Sequence, residues 1–393
     1  MMFNSSYDVT SLATTLLEYD GLVRGFQEQL RSHPIIVLES LVLCVISIMA
    51  LLGNTLVIVV IHRSRRVQST TNYFVASIAV SDMVLVLLSS PFVCARVIMQ
   101  GWLVGNVMCR LVRFVQLSSM STISFVLVAI CIDRFYTVIY PLSFKVTRGT
   151  AKRMIIAAWV TSLLVTGFCL YFFEVKRVST AGDVVRVFCP TFIPASHWSS
   201  VIYAALCVIT QFVCPLILLV IGHSRILFYV RSVRNQVRHC SHFNAPVPRT
   251  KVKMVKMLML LSAVNLLLYL PYYATQTVYC FGYRAFLSDD VFVASYWLIS
   301  ASAASKSVVY ACQNSNFWRG CKEVLCMSTM KCYRFNTYIV TSASAVSKRN
   351  YVGVMDLAKE QTSFSIDSPI NTRHKSIEAP QWLTIGSLPT TCL

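Results

Sequence analysis

Residues 107–134 read VMCRLVRFVQLSSMSTISFVLVAICIDR, and Phe135 follows. The stretch stays mostly apolar until Asp133-Arg134-Phe135 closes it. A helix rising ~1.5 Å per residue needs about 20 residues to cross ~30 Å of hydrocarbon. Cys109 and Arg134 stand 25 positions apart, about 37 Å along a helix, so they mark opposite surfaces of a membrane. Six more apolar stretches flank this one, at about 35–61, 70–96, 153–173, 199–229, 253–281 and 291–313. The last is the weakest, because Ser300, Ser302, Ser305, Lys306 and Ser307 dilute it. Runs this long and this uniformly apolar predict helices rather than barrel strands. The expected fold is all-α membrane: a seven-helix bundle, with a short amphipathic helix after helix seven.

Composition agrees. Hydrophobic residues make up 56% of the chain and charged residues 13%, whereas a soluble domain carries about 25% charged residues. Basic residues cluster after helix one (Arg63, Arg65, Arg66), after helix three (Lys145, Arg148, Lys152, Arg153), between helices five and six (Arg231, Arg234, Arg238, Arg249, Lys251, Lys253) and after helix seven (Arg319, Lys322, Lys331, Arg334). The alternate loops hold Glu174, Asp183, Asp289 and Asp290. The positive-inside rule therefore predicts an N-terminus outside and a C-terminus inside, which needs an odd number of spans. The net charge of +19 belongs to the cytoplasmic face. It implies anionic membrane lipid or an acidic partner protein, and no nucleic acid. Residues 1–33 lack the apolar core of a cleavable signal peptide. Asn4-Ser5-Ser6 is a glycosylation sequon on the predicted outer side.

The loops are short and no soluble catalytic domain is visible. No His-Glu-x-x-His, Gly-x-Ser-x-Gly or phosphate-binding Gly-Lys-Ser/Thr motif occurs. The expectation is no enzyme, no catalytic or metal-binding residue and no cofactor. No repeat relates the two halves, as many transporters would show. Most of the fifteen cysteines fall inside helices, where they serve as small apolar packing residues. Cys109, at the outer end of helix three, and Cys189, in the second outer loop, both face the oxidising side, where a disulfide can form. Cys94 and Cys280 lie near the same face and are expected to be free.

Gly53-Asn54, Ala79-x-x-Asp82, Cys109, Asp133-Arg134, Trp159, Cys189, Pro215, Pro271 and Tyr310 fall one after another in helices one to seven and the second outer loop. In this order they resemble the landmark residues of rhodopsin-like (class A) G-protein-coupled receptors, over about residues 35–330. Longer strings, Ile61-His62-Arg63-Ser64-Arg65-Arg66, Ser69-Thr70-Thr71-Asn72-Tyr73-Phe74, Tyr140-Pro141-Leu142-Ser143-Phe144-Lys145, Pro248-Arg249-Thr250-Lys251-Val252-Lys253 and Asn350-Tyr351-Val352-Gly353, resemble one orphan member of that family. The resemblance implies a receptor that passes an extracellular signal to heterotrimeric G proteins through Asp133, Arg134, Phe135 and Tyr310 when helix six swings outward. The alternative is an orphan that is constitutively active, or one that acts as a membrane scaffold without coupling.

The departures from the family pattern carry physical content. Pro271 removes a backbone hydrogen bond and predicts a kink in helix six. The family usually places Trp two residues and Phe six residues before this proline, where this chain has Tyr269 and Asn265. Asn265 falls deep in the bundle, in a region that Ser124 of helix three also faces, and a polar group there needs a partner. It serves either as a packing lock or, with Tyr269, Pro271, Pro215 and Ser124, as a retuned activation switch. At the base of helix six, where many relatives carry an acid that locks the arginine, this chain has Lys251 and Lys253. Arg134 is thus expected to pair only with Asp133. The family's helix-seven Asn-Pro-x-x-Tyr is Lys306-Ser307-Val308-Val309-Tyr310 here. Asp82 and Lys306 fall at similar depths, about 12–15 Å from the inner ends of helices two and seven. A buried ion pair in the place of the family's sodium ion is expected. The opsin position for a retinal lysine is Ser300, ten residues before Tyr310, which argues against a photoreceptor.

Amine receptors of the family carry an aspartate eighteen residues before the helix-three arginine, and this chain has Gln116 there. A protonated amine would lack its anion, and a neutral Gln resembles several neuropeptide receptors. Tyr272, Tyr273, Gln276, Tyr296 and Trp297 lie toward the outer halves of helices six and seven. Together with Gln116 they suggest a pocket for a peptide ligand, although aromatic crowding is also ordinary packing. Residues 1–34 form an extracellular segment, 35–313 the receptor domain, 314–334 an amphipathic helix and Cys-rich segment, and 335–393 a disordered tail. Phe317 and Trp318 are expected on the membrane side of that helix, with Cys321, Cys326 and Cys332 open to palmitoylation and Cys326 best placed. The tail's Thr341, Ser342, Ser344, Thr362, Ser363 and Ser365 are candidate kinase targets for arrestin recruitment. Thr391-Cys392-Leu393 resembles a PDZ-domain ligand.

Overall fold

A computed structural model describes residues 32–63, 70–140, 146–180, 184–194, 197–239, 248–281 and 289–327. All of these fall within one compact unit, Met1–Ser328. The sequon at Asn4, the tail from 335 and the terminal Thr391-Cys392-Leu393 lie outside them, as does Cys332.

Seven long helices are present among the described residues: α1 His33–Arg63, α2 Thr70–Met99, α3 Gly105–Ile139, α4 Arg148–Gly167, α5, α6 Arg249–Cys280 and α7 Asp289–Gln313. One further turn, Cys169–Phe172, follows α4. α5 is a composite of Trp198–Val208, a π-helical turn Ile209–Val213 and Cys214–His239. α8, Ser315–Met327, follows α7 after Asn314. α1 to α6 are long and apolar enough to cross a membrane by length and composition. α7 completes the bundle with a weaker apolar signal, and its serines and Lys306 are the reason.

The helices pack as a ring: α1 against α2 and α7, α2 against α3, α3 against α4 and α5, and α6 against α5 and α7. α3 is the most buried of the spans. The polarity is inverted relative to a soluble protein. Leu38, Leu52, Ile156, Leu164 and Phe228 point outward, whereas Asp82, Ser121, Asn265 and Ser302 are buried. Such polar groups in a membrane face the bundle interior and pair with one another.

Three local features set the helix positions. Gly53 lets α1 approach α7 closely, since a Cβ there would collide with the Ser307 hydroxyl. Asn54, next to it, donates to the Ala50 carbonyl at 2.8 Å and to the Ala303 carbonyl at 3.0 Å, joining α1 to α7. In α5 the π turn ends just before Pro215. Proline has no N–H for the carbonyl four residues back, and a π turn absorbs the mismatch. The Trp159 indole of α4 donates to Ser77 of α2 at 2.9 Å.

At one end of the bundle an antiparallel hairpin, β1 Lys176–Thr180 and β2 Val184–Phe188, runs in register Lys176↔Phe188 to Thr180↔Val184. It leads straight into Cys189, which is bonded to Cys109 at the start of α3, with Cα atoms 5.7 Å apart. Trp102 packs against this disulfide, and its backbone N–H donates to Val187 at 2.7 Å. Cys94 and Cys280 are free, as expected. At the opposite end α8 lies along α1 and α7. Trp318 is exposed. Phe317 corrects the expectation of a membrane-facing ring: it is buried, its ring 5.1 Å from that of Tyr310. Cys321 is buried as well, a poor position for acylation. Cys326 belongs to α8, but its side chain lies outside the described residues.

Candidate functional site

Three layers of buried polar groups run down the bundle axis. The first lies under the disulfide. Cys109, Arg113 and Gln116 share one face of α3, at spacings of four and three. The buried Arg113 guanidinium donates from Nη1 to Gln116 Oε1 at 2.8 Å and from Nη2 to the Cys189 carbonyl at 3.2 Å. Gln116 Nε2 donates to Ser89 Oγ at 2.6 Å. Tyr296 of α7 donates to Ser89 Oγ at 3.0 Å and lies 3.1 Å from Ser90 Oγ. Gln116 and Tyr296, two of the predicted pocket residues, are thus parts of one network across α2, α3 and α7.

On α6, Tyr272 and Tyr273 belong to an apolar cluster with Leu117, Met120, Phe192 and Ile193, and Gln276 is buried. Trp297 packs in a separate cluster, with Ile36, Leu43 and Val93. The Tyr273 ring stacks on Phe212 at 5.0 Å, and its hydroxyl donates to Gln211 Oε1 at 3.3 Å. Sequence reasoning missed Arg113, Ser89, Ser90, Phe192 and Ile193. The helical spacing of Arg113 between Cys109 and Gln116 was a usable signal. Phe192 and Ile193 follow a hairpin, and only their nearness to Cys189 pointed at them.

The second layer is the mid-membrane pair. Lys306 Nζ lies 3.0 Å from Asp82 Oδ1. The same ammonium donates to Ser302 Oγ at 3.0 Å and to Asn265 Oδ1 at 3.3 Å. Ser302 Oγ also donates to Asn265 Oδ1, at 3.2 Å. The ring of Tyr269 faces the ammonium, 5.6 Å from Nζ to its centroid, a cation–π contact. Asp82, Asn265, Tyr269 and Lys306 are all buried. One cation therefore joins α2, α6 and α7. Ser124 is buried on α3, and its hydroxyl makes no hydrogen bond to Asn265 or to any other described residue.

The third layer closes the opposite end. Arg134 Nε donates to Asp133 Oδ2 at 2.8 Å, and Nη2 reaches the same oxygen. Among the described residues this is the ion pair Arg134 makes. Phe135 packs beside Val138, Ile226 and Val255. Lys251 of α6 donates to the Thr137 carbonyl of α3 at 3.5 Å, so a cation does stand where an acidic lock would. Tyr310 donates to Asn72 Oδ1 at 3.0 Å. A small cavity between the second and third layers is lined by Asn54, Ile78, Leu261, Lys306 and Tyr310.

A seven-helix ring with an axial polar column, a disulfide-pinned loop at one end and an Asp-Arg pair at the other defines a seven-helix receptor. The family model described as 7 transmembrane receptor (rhodopsin family) matches residues 53–310, and the chain belongs to that family. It is 40% identical over 319 residues to the "Probable G-protein coupled receptor 19" of Rattus norvegicus, covering 81% of this chain and 75% of that receptor. This is the orphan member that the longer strings resembled. More distant relatives are the "Neuropeptide FF receptor 2" of Mus musculus, 26% identical over 324 residues (78% of this chain, 76% of the receptor), and the "RYamide receptor" of Tribolium castaneum, 24% over 301 (74% and 80%).

Proposed function

We propose that this receptor sits in the plasma membrane with its disulfide end outside, binds a peptide there, and activates a heterotrimeric G protein at Asp133, Arg134 and Phe135 as the Lys251 end of α6 moves outward. The observation that carries the reading is the axial polar column. It puts a candidate recognition layer and a candidate coupling layer on the same three helices, with Lys306 between them holding α6 to α7 through Asn265. Two relatives whose names specify peptides support the ligand class. A neutral Gln116 at the head of the column suits a peptide better than an amine.

Release of Arg134 from Asp133 would free a guanidinium to donate to a partner's carbonyl groups. The test is Arg134→Ala, with basal signalling measured across G-protein classes and normalised to surface abundance. The expected result is loss of signalling with abundance largely intact. Signalling equal to the unmodified receptor would sink the coupling assignment. A receptor silent in every class before mutation, at normal surface abundance, would favour the scaffold alternative.

A further inference from the structure

We propose that Thr191-Phe192-Ile193 is a built-in occupant of the ligand site, and that the ligand is a peptide presenting an aromatic residue followed by an aliphatic one, which displaces it. This rests on the peptide-receptor reading and names the chemistry of that peptide.

Loops ordinarily run over a protein's surface. Here the segment after Cys189 turns into the bundle: Phe192 is 7% exposed and Ile193 1%. The Phe192 ring lies 5.5 Å from Tyr272 and 6.0 Å from Tyr279. The two side chains belong to the apolar cluster that holds Leu117, Met120 and Tyr269.

The backbone is read as well. Ile193 N–H donates to Gln276 Oε1 at 2.8 Å, and Gln276 Nε2 donates back to the Ile193 carbonyl at 3.4 Å. A carboxamide that pairs with both backbone groups of one residue recognises extended peptide whatever its side chain. The flanking apolar pocket then selects the side chains. This division of labour is that of peptide recognition generally. Arg96 Nη1 donates to Thr191 Oγ1 at 3.2 Å, and Arg113 holds the Cys189 carbonyl. The start of the segment is therefore held by Arg96 and Arg113, and its end by Gln276.

Tethering sets the competition. The Cys109–Cys189 bond anchors the segment three residues before Phe192, which gives it an effective concentration on the order of millimolar. A free peptide must outcompete it. The contacts to Tyr272 and Gln276 lie on the part of α6 beyond Pro271, so the occupied loop ties that part to α3. Its displacement releases the tie.

The probe is fluorescein-labelled Pro-Thr-Phe-Ile-Pro amide, the sequence of 190–194, with a control peptide carrying Ser in place of Phe and Ile. The target is the full-length receptor, purified into lipid nanodiscs. The probe should bind the Phe192→Ala/Ile193→Ala receptor roughly tenfold or more tightly than the unmodified one. Addition of Gln276→Leu to that variant should abolish the binding. Equal affinity for both receptors, equal binding of the Ser control, or no saturable binding up to roughly 1 mM overturns the proposal. Phe192→Leu keeps the pocket filled, and serves if the double variant does not fold. Its affinity should be intermediate, and an affinity equal to the unmodified receptor's also overturns the proposal. No G protein enters this assay. A silent receptor whose stripped form binds the probe fails only the coupling reading, and a signalling receptor whose stripped form ignores it fails only this one.

Discussion

Lys306 occupies the place where the family carries an asparagine, and its ammonium sits among Asp82, Ser302 and Asn265. An ammonium offers three donors, and three acceptors meet it. Loss of either ion leaves the other buried without a counter-charge, which typically costs ~3–5 kcal/mol. Asp82→Asn or Lys306→Ala alone should therefore lower folding yield and thermal stability of the purified receptor. Asp82→Asn combined with Lys306→Gln should recover much of the loss, because no unpaired charge remains. A double variant as unstable as the sum of the singles would show that the two do not act as a pair. Sodium should leave basal signalling unchanged, since the Lys306 ammonium already pairs with Asp82. Sodium sensitivity that vanishes in Asp82→Asn would mean that the ion still binds.

At the scale of elements, α6 is the part whose attachments matter most. It is tied to α7 through Asn265, to α3 through Lys251 and to the loop through Gln276. Asn265→Leu removes the acceptor shared by Ser302 and Lys306 while keeping the branched heavy-atom skeleton. Basal signalling per receptor at the surface should rise, because α6 loses its mid-membrane hold. Unchanged basal signalling would assign Asn265 to packing alone. The sequence shows much of this arrangement and misses the rest for a physical reason. Depth along a helix follows from the rise per residue, so Asp82 and Lys306 can be paired on paper. Rotation about the helix axis is set by neighbours. That Asn265 shares the same ammonium, or that Phe317 turns toward Tyr310, therefore appears only once the helices are packed. Phe192 and Ile193 are harder still, since loop residues carry no period from which burial can be read.

For the whole molecule, the proposed orientation rests on two independent features. Arg63, Arg148, Lys152, Arg153, Lys251, Arg319 and Lys322 flank the helix ends on the side of Arg134, and basic residues in short loops stay in the cytoplasm. The Cys109–Cys189 bond lies at the other end, and disulfides persist on the oxidising side of the membrane. Both support the proposed orientation, with the hairpin and its loop outside. The same geometry makes the disulfide an element of the receptor mouth, since it fixes the start of the segment that enters the bundle. Cys109→Ser and Cys189→Ser should each reduce surface abundance, and the double variant should be no worse than either single, because one bond is lost in all three. Additive losses would mean that the two cysteines act separately. An epitope placed ahead of residue 32 should be stained on intact cells, and one placed after residue 393 only after permeabilisation. The reverse pattern would put the disulfide in the reducing compartment and the basic clusters outside. Both arguments would then fail together, and with them the assignment of Asp133-Arg134-Phe135 to the G protein.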